Sequence, residues 1–505
     1  MDKRKSILNV SVAIGFKMIT MIMVILVKRF LIRICGNEVN GLNSLYISII
    51  GFLSIAELGV GSAIVFCMYK PIVEQNNRVV SALYHLFDRA YRIISGVLLC
   101  AGLCLAPFIK YFAKDYDGAD VNLPFTFILM LISVVVTYWF ASKTSLINAY
   151  KNNYVTTAIS SCGLLLQYGL QILVLVLTQS FEWYLVCRTV AALAQWLVTE
   201  IVARQKYGVI LRDKQKVDGP LKTELLKNIR AMFMHKVGYI LVNTVDSLVI
   251  SIFVGVVALG EFFNYTMLLT SMTELLKLVF TALTSVFGHL YVESHKETSR
   301  KYSEAFHLLN FVLGCVFFLG YYAVIDNLIA ILFAKDLVLA RTVAAVITVN
   351  GFVQFMRQSV LVFREATGTF YYDRWKPLLE GILNIVLSVL LVQWFGVTGV
   401  IVATVITNLL ICHIIEPYVL YKHAFNASPR RYYLKNYTMI ALFIAALGLL
   451  NHVMREYDSN WIELLVNGCI SVAISVCVCC VWLLLNRNEF KCFSSAVKER
   501  AEKRI

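Results

Sequence analysis

Fourteen runs of apolar residues, each about the length of a membrane-crossing helix, leave this chain few folds to choose from. They fall at roughly 9–33, 42–68, 90–112, 123–146, 155–178, 183–203, 230–254, 262–290, 304–325, 338–363, 377–395, 397–420, 436–454 and 462–485. An α-helix rises about 1.5 Å per residue, so about 20 apolar residues cross a hydrocarbon layer about 30 Å thick. Only 15% of the 505 residues are charged, against about 25% in a soluble domain. A membrane β-barrel needs short segments of alternating polarity. The run Ile385 to Phe395, IVLSVLLVQWF, does not alternate. The expected fold is therefore an all-α polytopic membrane protein of about fourteen transmembrane helices. No stretch of domain size is left outside the spans.

The first quarter of the chain is echoed halfway along. Gly36, Gly41 and Tyr46 recur as Gly255, Gly260 and Tyr265, each pair 219 residues apart. The same offset joins Asn9 to Asn228, Lys17 to Lys236 and Glu74 to Glu293. Duplication inside a hydrophobic chain marks transporter folds, whose substrate path lies between repeats. Six spans separate the copies, so both run in the same direction and are parallel repeats. The expected organisation is an N-lobe over 1–203 (spans one to six), a basic cytoplasmic linker over 204–229 and a C-lobe over 230–424 (spans seven to twelve). Spans thirteen and fourteen with a basic tail follow over 425–505. The two six-helix lobes are expected to be pseudo-symmetric.

The net charge of +15 comes from basic residues concentrated in the segments that share a side with Lys3, Arg4 and Lys5. This is the positive-inside bias of polytopic proteins, and it removes the nucleic-acid reading of a basic chain. An even number of spans puts both termini in the cytoplasm, and the basic, then apolar, N-terminus reads as a retained first helix. Of thirteen cysteines only Cys35 falls near the outer face, so no disulfide framework is expected. No nucleotide-binding loop, zinc-protease motif or spaced histidine set occurs. We expect no enzyme activity, no cofactor and no metal site, with energy drawn from an ion gradient, the membrane potential or the substrate's own gradient.

Gly41-Leu42, Glu57-Leu58-Gly59-Val60-Gly61, Tyr69-Lys70-Pro71 and the stretch Phe395 to Leu410, FGVTGVIVATVITNLL, carry a family resemblance. The chain resembles bacterial polysaccharide repeat-unit flippases of the Wzx type, in the MOP (MATE-like) exporter superfamily. The resemblance implies two lobes in a V shape that alternate between inward-open and outward-open states. It implies an undecaprenyl-diphosphate-linked oligosaccharide moved from the inner to the outer leaflet of the bacterial cell membrane. The partners implied are membrane lipid, H+ or Na+, a polysaccharide polymerase and glycosyltransferases.

Charges within the spans are the candidate site. A charge at mid-bilayer costs at least about 2.5–3.5 kcal/mol, so it faces a partner or a wet cavity. Lys17, Arg29, Arg188, Lys236, Lys277 and Arg357 are the expected cavity cations, suited to replace the hydration of a diphosphate. Glu57, Asp246 and Glu274 are the candidates for ion coupling, since burial lets a carboxyl switch between charged and neutral forms. Lys17 and Glu57 lie at depths that allow a pair. The competing reading makes these charges inter-helix ion pairs, with Lys28, Arg29 and Lys143 near enough to helix ends to snorkel outward. Tyr371, Tyr372, Trp375, Tyr432 and Tyr433 read as an interfacial aromatic belt. The alternative function is a cation-coupled multidrug exporter of the same architecture. A surplus of Lys and Arg suits an anionic cargo better.

Overall fold

The computed structural model describes residues 3–57, 60–116, 121–213, 215, 223, 237–238, 240–241, 244–369, 372–455 and 460–486. Every regular element among them is helical. We label α1 Lys3–Leu53, α2 Val60–Val73, α3 Asn77–Leu105, α4 Leu123–Ala149, α5 Asn153–Thr178 and α6 Phe181–Arg212. Beyond the basic segment come α7 Thr244–Val254, α8 Val256–Glu293, α9 Lys296–Leu332 and α10 Arg341–Thr367. The chain closes with α11 Lys376–Phe425, α12 Arg430–Val453 and α13 Asn460–Leu485. Among the described residues, nine helices are long and apolar enough to cross a membrane: α3 to α6 and α9 to α13. The chain is an all-α, multi-pass membrane protein, as its apolar runs require.

Two of the helices are longer than any span. Helix α1 has 51 residues, about 75 Å if straight, more than twice the thickness of a bilayer core. It breaks at Gly36 (φ 86°, ψ 168°). Helix α11 has 50 residues and breaks at Gly396 (φ 54°, ψ −134°). Each thus joins two of the expected runs at a glycine. Gly255, the counterpart of Gly36, also stands at positive φ (139°) and separates α7 from α8. An L side chain is disfavoured there, so the repeated glycine marks a repeated backbone break. Helix starts follow local capping: Asn122 Oδ1 accepts the Phe125 amide at 3.1 Å and Ser180 Oγ the Trp183 amide at 3.4 Å, satisfying donors that a helix leaves open.

The chain divides into two compact units, Met1–Gly260 and Glu261–Ile505. In the first, α4 packs on α3 and α6, and α5 packs on α1 and α6. Its core joins Ile64, Met68, Phe87, Leu146, Ile147 and Ala203. Small residues let helices approach, the usual device where lipid removes the hydrophobic drive between them: Gly102 lies against Leu131, and Gly163 against Gln195. Helix α6 runs on through Arg212, so the first part of the basic 204–229 segment is helical. In the second unit α9 packs on α10 and α13, around Phe311, Phe318, Phe352, Phe355 and Phe443. Phe352 and Phe443 stack at 3.7 Å. Tyr432, expected in an interfacial belt, is instead buried beside His307 and Tyr421, while Tyr372 and Trp375 are exposed as a belt requires.

A buried tyrosine repeats the duplication in each unit. The Tyr46 hydroxyl donates to the Leu123 carbonyl at 3.0 Å and lies 2.8 Å from Thr126 Oγ1, at the start of α4. Tyr265 donates to Asp326 Oδ1 at 2.6 Å and accepts the Leu339 amide at 3.1 Å, beside the start of α10.

Candidate functional site: charges within the spans

In the first unit the Glu-Leu-Gly-Val-Gly stretch has a visible purpose. Glu57 ends a 3₁₀ turn, Ser54–Glu57, and accepts a 2.5 Å hydrogen bond from the Tyr91 hydroxyl. Tyr91 meets Phe87 edge-on at 4.5 Å and lies 5.6 Å from Tyr138. A Cβ on Gly61 would overlap the Tyr91 hydroxyl. The absent side chain at Gly61 is therefore what lets Tyr91 reach Glu57.

The middle of α3 and the second halves of α4 and α6 carry a second polar group. Lys143 Nζ lies 3.0 Å from Glu200 Oε2, and Arg204 Nε donates to Glu200 Oε1 at 2.6 Å. Ser142 donates to Asp88 Oδ1 at 2.9 Å, and Arg92 pairs with Asp88 at 2.7 Å. Lys143 does not snorkel outward: it is buried against its carboxylate. Lys28 is buried too.

The other expected residues described in this unit stand on α1, α6 and α7. Lys17 is half-buried and Arg29 exposed on α1. Arg188 is half-buried on α6, within electrostatic reach of Tyr168 and Tyr184. Asp246 is half-buried on α7. Lys236 lies outside the described residues. In the second unit Glu274 is half-buried and Lys277 exposed on α8.

Arg357 sits at the densest charge cluster described. Its Nε and Nη2 donate to Glu416 at 3.1 and 2.7 Å, and its Nη1 to Asn408 Oδ1 at 2.6 Å. Lys376 Nζ reaches Glu416 at 2.7 Å and Glu380 at 2.8 Å. Arg364 pairs with Asp373 and lies 3.8 Å from Glu416. Three cations thus meet three carboxylates, and the side chains of Glu416 and Asp373 are each only 1% exposed. A charge-balanced group of this kind survives in low dielectric because each ion has its counter-ion in contact.

The cluster lies where α10 is broken. Arg357 interrupts the helix between Met356 and Gln358, and such breaks need their freed carbonyls satisfied inside a membrane. Asn310 Nδ2 on α9 donates to the carbonyls of Phe355 and Met356 at 3.0 and 3.2 Å. His413 Nε2 lies 3.0 Å from the Val353 carbonyl, and Asn436 Nδ2 lies 2.9 Å from His413 Nδ1. Helix α11 contributes two π turns, Asn408–Cys412 and Leu420–Phe425, a distortion common at functional sites.

The sequence singled out Arg357 as a cavity cation but not its partners Glu416, Glu380, Lys376, Arg364 and Asp373, nor Glu200. The i, i+4 spacing of Lys376 and Glu380 was the available signal. Among the described residues no group of three or more His, Cys, Asp or Glu is arranged to hold a metal ion.

The fold that carries these charges has solved counterparts. The chain is similar to the lipid II flippase MurJ in an inward closed conformation, with a TM-score of 0.63 and 14% identity over 95% of this chain and 99% of that one. It is similar to a multidrug resistance MATE family transporter of the MOP superfamily in an inward-facing conformation, with a TM-score of 0.59 and 14% identity over 86% and 98%. The MATE multidrug transporter DinF-BH gives a TM-score of 0.55 and 15% identity over 85% and 97%. At such identities the likeness is one of fold alone. No family model and no curated protein sequence matches the chain.

Proposed function

We propose that this protein is a flippase that carries an undecaprenyl-diphosphate-linked oligosaccharide from the inner to the outer leaflet of a bacterial cell membrane, with both termini in the cytoplasm. One observation supports this reading above the rest. The lipid II flippase MurJ matches 95% of this chain, against 85–89% for MATE transporters. The basic surplus of the spans fits an anionic head group better than the cationic drugs of the alternative reading. Lys17, Arg29, Arg188, Lys236 and Lys277 are the proposed partners of the diphosphate. Arg357 belongs to the same proposal with a different part, since its donors already meet Glu416 and Asn408. Glu57, Asp246 and Glu274 are the proposed H+ or Na+ sites, and at Glu57 a half-buried carboxyl under a tyrosine hydroxyl supports the reading.

The test is complementation of a bacterium that lacks its own repeat-unit flippase and supplies this protein's native glycan. Lipid-linked repeat units are assayed on each side of the membrane. Restored polymer, with the inner-leaflet pool emptied, is the expected outcome. Good expression without rescue would move the reading to drug or ion export.

A further inference from the structure

Each copy of the duplication carries a largely buried cation on its fourth span bonded to a glutamate on its sixth. In the first unit these are Lys143 on α4 and Glu200 on α6, 3.0 Å apart. In the second they are Arg357 on α10 and Glu416 on the last part of α11, 2.7 Å apart, with Arg364 at 3.8 Å from the same carboxylate. The 219-residue offset carries Lys143 to position 362, between Arg357 and Arg364, and Glu200 to position 419, one turn from Glu416. The residue types differ, so a matched-letter comparison does not pair them. The geometry does.

We propose that Lys143–Glu200 and Arg357–Glu416 are equivalent locks, one in each copy, that hold the fourth and sixth spans together. On that assignment Arg357 positions α10 and α11 and does not touch the cargo. The argument is electrostatic. Separating such a pair in low dielectric takes from each charge its nearest counter-ion, even where Lys376, Glu380 or Arg204 stays close to one partner, so the pair opposes motion between its two helices. The backbone departs from α-helical geometry elsewhere, at Gly36, Ser54–Glu57, Gly255 and Gly396. Within the second lock it departs at the Arg357 break, where Asn310 ties off the loose carbonyls, and at the π turns on either side of Glu416. The second lock is also neutral overall, three cations against three carboxylates, and the Arg357 donors face Glu416 and Asn408. A diphosphate gains nothing from a cation so engaged. The assignment rests on the transporter reading for its functional half, while its structural half rests on the ion-pair distances alone.

A mutant cycle tests it in the full-length protein. Arg357→Met, Glu416→Gln and the double variant are compared for membrane abundance, thermal stability in detergent and export. Lys143→Met, Glu200→Gln and their double form the second cycle. Removing one partner strands a largely buried charge; removing both leaves Arg364–Asp373 and Lys376–Glu380 balanced in the second lock, and in the first leaves only Arg204, whose side chain is 74% exposed. The expected result is at least a tenfold loss of export and a clear drop in melting temperature for each single variant. Each double should recover both to within about twofold of the starting protein in export. A double variant of Arg357 and Glu416 that regains stability but not export overturns the proposal, because it makes one of them a cargo contact. Single variants that melt like the parent overturn it as well. If the parent protein itself exports no glycan, the flippase reading fails, and the melting temperatures still judge the locks.

Discussion

The backbone of Gly41 rests on the carbonyl oxygen of Val256, so closely that a Cβ on the glycine would overlap it. The relationship is reciprocal under the duplication. Val256 is the counterpart of Asn37 and Gly260 that of Gly41, and a Cβ on Gly260 would lie 3.1 Å from the Asn37 carbonyl oxygen. The two repeated turns therefore meet glycine to carbonyl in both directions. Around them Asn40 Nδ2 donates to the Gly260 carbonyl at 3.3 Å, Lys114 Nζ to the Phe253 carbonyl at 2.7 Å, and the Val256 amide to the Lys114 carbonyl at 3.1 Å.

Gly41→Val should therefore destabilise the protein by about 1–3 kcal/mol, the usual cost of forcing extra methyl groups into a packed site. The obstacle is backbone, which has no other rotamer to adopt. Gly448→Ala on α12 is the control: nothing lies within 4 Å of the added Cβ, and alanine favours a helix by up to about 1 kcal/mol over glycine. Melting temperatures in detergent should fall for the first variant and hold or rise for the second. Equal behaviour would remove the close approach from the argument.

Gly61→Ala should act through Tyr91. The added methyl group takes the place of the Tyr91 hydroxyl and breaks its 2.5 Å bond to Glu57. Tyr91→Phe should reproduce the same defect without crowding, at a cost of about 1.5–3 kcal/mol for a hydrogen bond to a charged group. If Glu57 couples an ion, both variants and Glu57→Gln should alter the dependence of export on the ion gradient. A Tyr91→Phe protein with the parent's dependence would separate the tyrosine from coupling.

These cases show what could be read in the chain before its structure. The apolar runs were legible because a bilayer demands a fixed length of hydrocarbon. The repeated Gly36 and Gly255 were legible because a positive φ leaves few alternatives, and both stand there. Ion pairing was not legible. Arg357 and Glu416 are 59 residues apart, and composition alone does not say which face of a helix meets which neighbour. Lys143 looked long enough to snorkel, and only the position of Glu200 decided otherwise.

Asn310→Ala should expose the weakness of the break in α10. Its amide group satisfies two carbonyls, those of Phe355 and Met356, and a buried acceptor left unpaired costs about 1–3 kcal/mol. Asn310→Asp should be at least as harmful, because a carboxylate supplies no donor to those carbonyls. Thermal stability in detergent reads both. A neutral result for Asn310→Ala would mean that the break holds without α9.

The cavity cations call for a different signature. Lys17 and Arg188 are half-buried, and Arg29 and Lys277 exposed, in a protein whose outer face is lipid. A cation that grips a diphosphate acts while cargo is present, so its loss should spare the folded protein. Lys17→Ala, Lys236→Ala and Lys277→Ala should each lower export by tenfold or more, about 1.4 kcal/mol of cargo binding, with membrane abundance and melting temperature unchanged. Replacing the lysine by arginine should restore much of the export, since both side chains present cationic donors to phosphate oxygens. A variant that loses abundance in step with export is a structural ion pair instead. Arg357→Ala is expected to behave in that second way, and the contrast between it and Lys17→Ala, measured in the same cells, separates the residues that grip the cargo from those that hold the helices.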